Sequence, residues 1–273
     1  MKIIVTHTSP DWDAISSVWL LKRFYEGWKD AEVQFVPAGQ RIIPLEAGKI
    51  IQQRGNDEII HVDTGLGLLD HHQTSDKNVC AASLVWEFVK NTKENKGRHW
   101  EIREEAITRI VRFIVELDHF QEVFWPEAGA DYHEFNIFGL LEGLKYMEPE
   151  QDRIYMAEGL RWLDMELHNF ENRIWAEKEI KEHGKEFETT FGKGLGVETI
   201  NGSVLKLGQK LGYTVVIRKD PRHGNVQIKA RPDKKGEKGI DLTLTSEQMN
   251  KMDPEATWFL HVSKKMLLNG SMK

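Results

Sequence analysis

Cysteine is almost absent from the chain, since Cys80 is the one thiol among 273 residues. An intramolecular disulfide framework is therefore excluded, and a reducing compartment is expected. Long apolar runs are also lacking, and the opening residues, MKIIVTH, show neither the basic nor the apolar region of a signal peptide. These absences predict a soluble cytoplasmic protein that does not use a membrane.

Positive charge is scarce in the first two thirds of the sequence. Residues 1–195 contain 23 Lys and Arg against 35 Asp and Glu, whereas residues 196–273 contain 14 against 8. This uneven charge suits a polyanionic substrate that is held by the basic C-terminal region and cleaved by the acidic region. The plainer alternative is an ordinary uneven distribution of surface charge. The length predicts two domains rather than one.

Strand and helix patterns alternate through the first half of the chain. Strands are predicted at IIV near the N-terminus, at AEVQFVPAG and at EIIHVD, with a helix between the first two and a weak helix over 45–53. Further helices are predicted over 80–89, 101–117 and 153–182. This alternation indicates an α/β fold with an N-terminal parallel sheet flanked by helices.

The second half of the chain is predicted to hold a long connecting helix and a smaller domain. The helix is expected to pack on its own domain, and a homodimer is left open. The glycine-rich FGKGLG then breaks the pattern, which places a first domain over 1–190, with a helical segment over 100–185, and a basic domain over 197–273. A helix near 203–211 and strands YTVVIR, NVQIKA, IDLTLT and WFLHV predict a mixed α/β domain.

Side chains that bind metals follow two of the predicted parallel strands. They are His7, Asp11 and Asp13 after the first strand, and Asp63, Asp70, His71 and His72 after EIIHVD. The carboxyl ends of parallel strands meet at one edge of a sheet, so we expect these groups to lie together. Singly, each has a plainer explanation, such as a helix cap or a core histidine. Jointly, they would repel one another without a cation.

Asp118 adds a further carboxylate to this set. Apolar side chains every three or four residues predict the buried stripe of its helix, and Asp118 falls on that stripe four residues beyond Ile114. A buried, unpaired carboxylate is strongly destabilising. Together with Asp11, Asp13 and Asp63 it supplies four negative charges, which two divalent cations would balance. Oxygen ligands with a few imidazoles favour Mn²⁺, with Mg²⁺ as the alternative.

Four segments, THTSPDWDA, IIHVDTG, LDHHQ and VELDHF, resemble in order the motifs of the DHH phosphoesterase superfamily, over residues 1 to about 120. The DHHQ segment, the VD-x-G strand end and the later WFLHVSKKMLLNGS further resemble the melanocyte-proliferating-gene family of metal-dependent hydrolases. The resemblance implies a DHH-like catalytic domain with a two-cation site that hydrolyses phosphate esters.

The same resemblance implies a role for each matching residue. One cation would be held by His7, Asp11 and Asp63, and the other by Asp13, Asp63, His71 and Asp118, with Asp63 as the bridge. His72 would face the substrate phosphate as electrophile or proton donor, and Asp70 would orient the histidine pair. His261 matches the position of a C-terminal histidine that contacts substrate.

The substrate is less firmly indicated than the reaction. Asp63 and Asp70 are unusually close in sequence for the superfamily, and Leu260 rather than a glycine pair precedes His261. We expect hydrolysis of phosphodiester bonds in short single-stranded nucleic acid or in nucleotides, with Asp63 and His72 catalytic. Arg218, Arg231 and His261 are the expected phosphate contacts. The alternatives are an inorganic pyrophosphatase or polyphosphatase, and a non-catalytic metal or nucleotide sensor.

Overall fold

The computed structural model describes residues 1–92, 99–234, 236 and 239–269. Its helices are α1 (Trp12–Phe24), α2 (Ala81–Thr92), α3 (Trp100–Asp118), α4 (Ile137–Met147), α5 (Asp152–His183), α6 (Val204–Lys210) and α7 (Thr243–Met252). Its strands are β1 (Lys2–His7), β2 (Glu32–Val36), β3 (Gln52–Arg54), β4 (Asp57–His61), β5 (Lys185–Thr189), β6 (Gly192–Glu198), β7 (Val215–Lys219), β8 (Val226–Ala230), β9 (Trp258–Leu260) and β10 (Met266–Asn269).

The chain forms two compact units, Met1–Phe170 and Glu171–Lys273, whose boundary lies within α5. Each unit contains its own sheet with helices, so the mixed α/β class predicted from the sequence is confirmed. No helix in the described part of the chain combines the length and the hydrophobicity needed to span a bilayer.

The sheet of the first unit has the strand order β2-β1-β4-β3. The central strand β1 runs parallel to both β2 and β4, and β3 is an antiparallel edge strand. Ile3 and Ile4, which point to opposite faces of β1, are both fully buried, as a strand covered on both faces requires. The chain reaches β2 on one side of β1 and β4 on the other, which opens a crevice beyond the carboxyl ends of β1 and β4.

The second unit is built on a six-stranded sheet of order β5-β6-β7-β8-β10-β9. The β6–β7 pair is parallel, and the other neighbouring pairs are antiparallel. Leu195, Val204 and Val216 pack on one side of this sheet, while Ile228 and Leu267 belong to a separate apolar cluster. The predicted helix near 203–211 corresponds to α6.

Three local predictions differ from the structure. The weak helix over 45–53 is wrong, because turns with Gly48 at φ +76° precede strand β3 there. The strand at IDLTLT is also wrong, because Asp241 accepts a 2.8 Å hydrogen bond from the Thr243 amide and α7 begins at once. The glycine-rich FGKGLG, which suggested a boundary, lies mostly within strand β6. Residues 270–273 of the predicted basic domain lie outside the described residues.

Candidate metal centre

His7 and Asp11 lie where β1 passes into α1. The His7 Nδ1 nitrogen bonds the Thr8 carbonyl at 2.9 Å, which directs Nε2 to 3.2 Å from Asp63 Oδ2 and 3.9 Å from Asp11 Oδ1. Asp11 also caps α1, since its Oδ1 accepts hydrogen bonds from the amides of Asp13 and Ala14 at 3.0 Å each. The helix-cap explanation for Asp11 and its place in a ligand group are therefore compatible.

Asp63 follows β4 in a left-handed backbone conformation, with φ +53°. An aspartate tolerates this region better than most residues with a side chain, and unusual backbone angles cluster at functional sites. The side chain is almost fully buried, and its two oxygens face different histidines. Oδ2 faces His7, and Oδ1 lies 3.7 Å from both His71 Nε2 and His72 Nδ1.

His71 is surrounded by carboxylates. Its Nε2 lies 3.5 Å from Asp13 Oδ2 and 3.5 Å from Asp118 Oδ1, in addition to its approach to Asp63. Asp13 is held in place by the first turn of α2, because its two oxygens accept the amides of Ala81 and Ala82 at 2.7 Å each. A helix N-terminus favours a carboxylate at this point. Asp118 comes from the last residue of α3.

His72 lies at the exposed edge of this cluster, with more than half of its side chain accessible to solvent. Its Nδ1 lies 2.7 Å from Asp70 Oδ1, and the Asp70 carboxylate also accepts the amides of His72 at 3.1 Å and Leu66 at 2.7 Å. Burial opposes ionisation of Asp70, but these hydrogen bonds outweigh it and lower its pKa. Burial likewise lowers the pKa of His72, but bonding to Asp70 outweighs it and raises the pKa overall. Asp70 therefore fixes the ring and favours its protonated form.

Among the described residues, three groups of side chains could each hold a divalent cation. They are His7–Asp11–Asp63, Asp63–His71–His72 and His71–Asp118–His119. Asp63 belongs to two groups, as does His71. The metal ligands expected from the sequence are thus brought together, with Asp13 beside His71. His119 belongs to one of these groups. Its position in the sequence, directly after Asp118, indicated only a local polar side chain.

Unpaired buried atoms in this cluster fit a cation. Asp63 Oδ1, His71 Nε2 and Asp118 Oδ2 are buried without a hydrogen-bond partner among the described residues. Burial, followed by the charges of neighbouring carboxylates, raises the pKa of Asp13. Burial is also the main cause of the raised pKa of Asp118. Carboxylates that repel one another, beside an imidazole nitrogen without a partner, form a donor set suited to a divalent cation.

Arg41, which the sequence analysis did not single out, braces the loop between Asp63 and Asp70. Its Nη1 donates to the Gly65 carbonyl at 3.0 Å, and its Nε donates to the Ile43 carbonyl at 3.2 Å. The same guanidinium also contacts Gln52 and lies 3.1 Å from His61 Nδ1. A lone arginine in an irregular segment carries no sequence signal for such a contact.

Gly65→Ala should destabilise the protein more than Gly48→Ala does. Both glycines have φ near +77°, at +77° and +76°, so both substitutions carry a backbone cost of roughly 1–2 kcal/mol. A Cβ at Gly65 would also overlap Arg41 Cγ, whereas nothing lies within 4 Å of one at Gly48. Displacing Arg41 should add about 1 kcal/mol. Thermal denaturation of both variants measures the difference, and equal losses would show that the Arg41 contact is unimportant.

The expected phosphate contacts lie in the second unit. Arg218 is buried, and its guanidinium donates to the carbonyls of Thr199 and Ile200 at 3.0 Å each and to Asp220 at 2.7 Å. The expectation that Arg218 contacts the substrate is therefore corrected, because its guanidinium already donates to these acceptors in the interior of the unit. Arg231 is partly exposed. His261 is also partly exposed, with Nδ1 2.8 Å from Ser263 Oγ.

Comparison with known proteins does not assign a family. No protein-family model and no curated protein matches the chain. An uncharacterized protein from Helicobacter pylori G27 is similar at 13% identity and a TM-score of 0.26, with 100% of this chain and 94% of that chain covered. The pGpG-specific phosphodiesterase PggH from Vibrio cholerae is similar at 14% identity and a TM-score of 0.29, with 98% of this chain and 91% of that chain covered. Likenesses this low carry no functional argument.

Proposed function

We propose that this chain is a two-cation phosphodiesterase of the cytoplasm that acts on short single-stranded nucleic acid or nucleotides. One observation carries the proposal, namely that the two oxygens of the Asp63 carboxylate face different histidines, Oδ2 facing His7 beside Asp11 and Oδ1 facing His71 beside Asp13 and Asp118. A carboxylate shared in this way suits a pair of cations, the arrangement used for in-line displacement at phosphorus. We expect Mn²⁺, with Mg²⁺ as the alternative.

The contacts support a division of the ligands into two sets. One set is His7, Asp11 and Asp63, and the other is Asp13, Asp63, His71 and Asp118. When bound, the two cations supply Lewis acidity to a phosphoryl oxygen and lower the pKa of an attacking water. Backbone amides keep a carboxylate of each set in place, because the buried Asp13 accepts hydrogen bonds from the start of α2 and the exposed Asp11 accepts them from the start of α1.

His72 is proposed to contact the substrate rather than a cation. Its Nδ1 is occupied by Asp70, which leaves Nε2 on an exposed ring for the substrate phosphate. His72→Ala should therefore lower kcat for phosphodiester hydrolysis by about 100-fold or more, the range for general acids and oxyanion donors. Mn²⁺ affinity, measured by calorimetry, should change little. A loss of Mn²⁺ binding in this variant would instead make His72 a ligand.

A panel of substrates tests the proposed reaction. Purified protein with Mn²⁺ is given a short oligonucleotide, a dinucleotide and inorganic pyrophosphate under identical conditions, and the phosphodiesters should be cleaved fastest. A pyrophosphatase needs several positively charged side chains that converge on its substrate. In this chain, however, Arg218 is buried and Lys219 pairs with Glu198 at 3.2 Å. Faster pyrophosphate turnover would reverse this order. Mn²⁺ binding without turnover of any substrate would favour a sensor.

Phosphate contacts in the basic second unit remain part of the proposal at Arg231 and His261. Phosphate recognition by cations releases counterions, so KM for an oligonucleotide should rise with salt. The rise should be smaller for Arg231→Gln than for the unmodified chain. A KM that does not change with salt concentration would mean that the basic second unit does not contact the substrate phosphates.

A further inference from the structure

An aromatic cavity of about 430 Å³ lies in the first unit, outside the metal centre. Seven of its lining side chains carry aromatic rings: Trp12, Phe113, Trp125, Tyr132, His133, Phe138 and Phe170. The Phe138 ring makes edge contact with Trp12 at a centroid distance of 6.0 Å and lies 6.3 Å from Trp125. The volume falls within the usual range of small-ligand pockets, about 300–1,000 Å³.

The cavity and the metal centre are built on the same two helices. Trp12 is the residue between Asp11 and Asp13 at the start of α1. Ile114 of α3 lines the cavity and stands four residues before Asp118. Residues four apart on a helix are neighbours, with Cβ atoms roughly 5–6 Å apart. The cavity lining and the Asp118 carboxylate of the metal centre are thus one helical turn apart on α3.

The lining of the cavity suits a flat ring rather than a phosphate. Lys and Arg are absent among the lining residues that the structure describes, and Glu166 is the one carboxylate among them. A carboxylate accepts hydrogen bonds, so Glu166 can pair with the N–H edge of a heterocycle and would repel a phosphate. Aromatic walls stack bases of any sequence. Phosphate recognition and ring recognition are thus separated between two neighbouring sites.

We propose that this cavity binds the nucleobase next to the scissile phosphate. The proposal rests on the proposed function and makes it narrower, because pyrophosphate and base-free phosphodiesters would leave the cavity empty. It identifies Phe138 and Trp125 as base-stacking residues and Glu166 as an acceptor for the base. The substrate class is then a nucleotide diester recognised through its base.

Phe138→Leu tests the cavity, with Tyr146→Leu as the matched control. Both residues lie on α4, but Tyr146 is 81% exposed and does not line this cavity. Leucine preserves apolar volume and removes stacking. Binding of adenosine and guanosine is measured in EDTA by equilibrium dialysis with the full chain. Phe138→Leu should weaken it about tenfold, the scale of one lost stack, and Tyr146→Leu should not.

A second measurement uses catalysis with Mn²⁺. The ratio of kcat/KM for a dinucleotide to kcat/KM for the same diester with abasic sugars should fall about tenfold in Phe138→Leu. Unchanged nucleoside binding and an unchanged ratio would overturn the cavity proposal while leaving Mn²⁺-dependent hydrolysis intact. Nucleoside binding that depends on Phe138, without hydrolysis of any diester, would support the cavity and overturn the proposed function. A change in oligomeric mass with no change in nucleoside affinity would make the cavity a protein contact and overturn the proposal.

Discussion

Asp63→Asn should abolish Mn²⁺-dependent hydrolysis and at the same time stabilise the metal-free protein. Loss of a partner outside the ligand shell commonly lowers metal affinity 10–100-fold, so removal of a shared ligand should cost more than about 100-fold. Burial raises the pKa of Asp63 to about 6, which means that the metal-free fold disfavours its charge. Neutral asparagine should therefore add about 1–3 kcal/mol at neutral pH, after allowing for the lost bond to His7.

The backbone should tolerate this substitution, because asparagine is one of the few residues that readily adopts the left-handed conformation of Asp63. Asp30→Asn is the matched control, since Asp30 is exposed and belongs to none of the ligand groups found in the described residues. Thermal denaturation in EDTA and calorimetric titration with Mn²⁺ give the two readouts. Lower stability in EDTA, or unchanged Mn²⁺ affinity, would contradict a ligand role for Asp63.

The strand ends of the first unit could be predicted because their signals are local. Apolar runs and the alternation of strand with helix placed β1 and β4 side by side, and the parallel arrangement then brought His7 near Asp63. The position of Asp118 could be predicted for a similar reason, since helical periodicity put it on the face that α3 buries. Helical and strand periodicity are properties of a few consecutive residues, which a sequence displays directly.

Other features depend on contacts that no short segment encodes. Arg218 was expected on a binding surface, but neighbouring carbonyls and Asp220 hold it inside its unit. Arg41 reaches Gly65 across 24 positions of sequence. The aromatic cavity joins Trp12 to Phe138 of α4, a helix that was expected only as part of the helical segment over 100–185. Such tertiary partners are chosen by packing, so residue type alone did not reveal their roles.

The stability of the metal-free protein should fall as pH rises from 6.5 to 8.5. Burial lowers the pKa of His7, but the bond to Asp63 and the charge of Asp11 outweigh it and raise the pKa to about 9. The folded state therefore binds this proton more tightly than the unfolded state, and the resulting stability is lost as pH rises toward 9. The expected loss is about 2 kcal/mol. His72 acts in the same direction.

The chosen window avoids an opposing group. Burial and then the charge of Arg41 lower the pKa of His61 to about 4, so stability from His61 is lost as pH falls from 6.5 toward 4 and is constant above that range. Burial raises the pKa of Asp13 well above its ordinary range, so its protonation acts in the same direction as that of His7. Denaturation in EDTA across the window should thus report His7 together with Asp13, and His7→Gln should reduce the slope. A wild-type stability that rises with pH, or an equally steep His7→Gln slope, would contradict this account.

Mn²⁺ should reverse the pH dependence, because its ligands must lose their protons to bind. Raising the pH removes the proton from His7 that competes with the cation, so the stabilisation by a fixed Mn²⁺ concentration should grow between pH 6.5 and 8.5. At about 100 times Kd the cation contributes about 2.7 kcal/mol, or roughly 5–10 °C in Tm. Asp63→Asn should lose this increment at every pH, whereas Asp30→Asn should keep it. An Mn²⁺ increment that is equal at both ends of the window would mean that the cation does not displace the His7 proton, and His7 would then lie outside the ligand set.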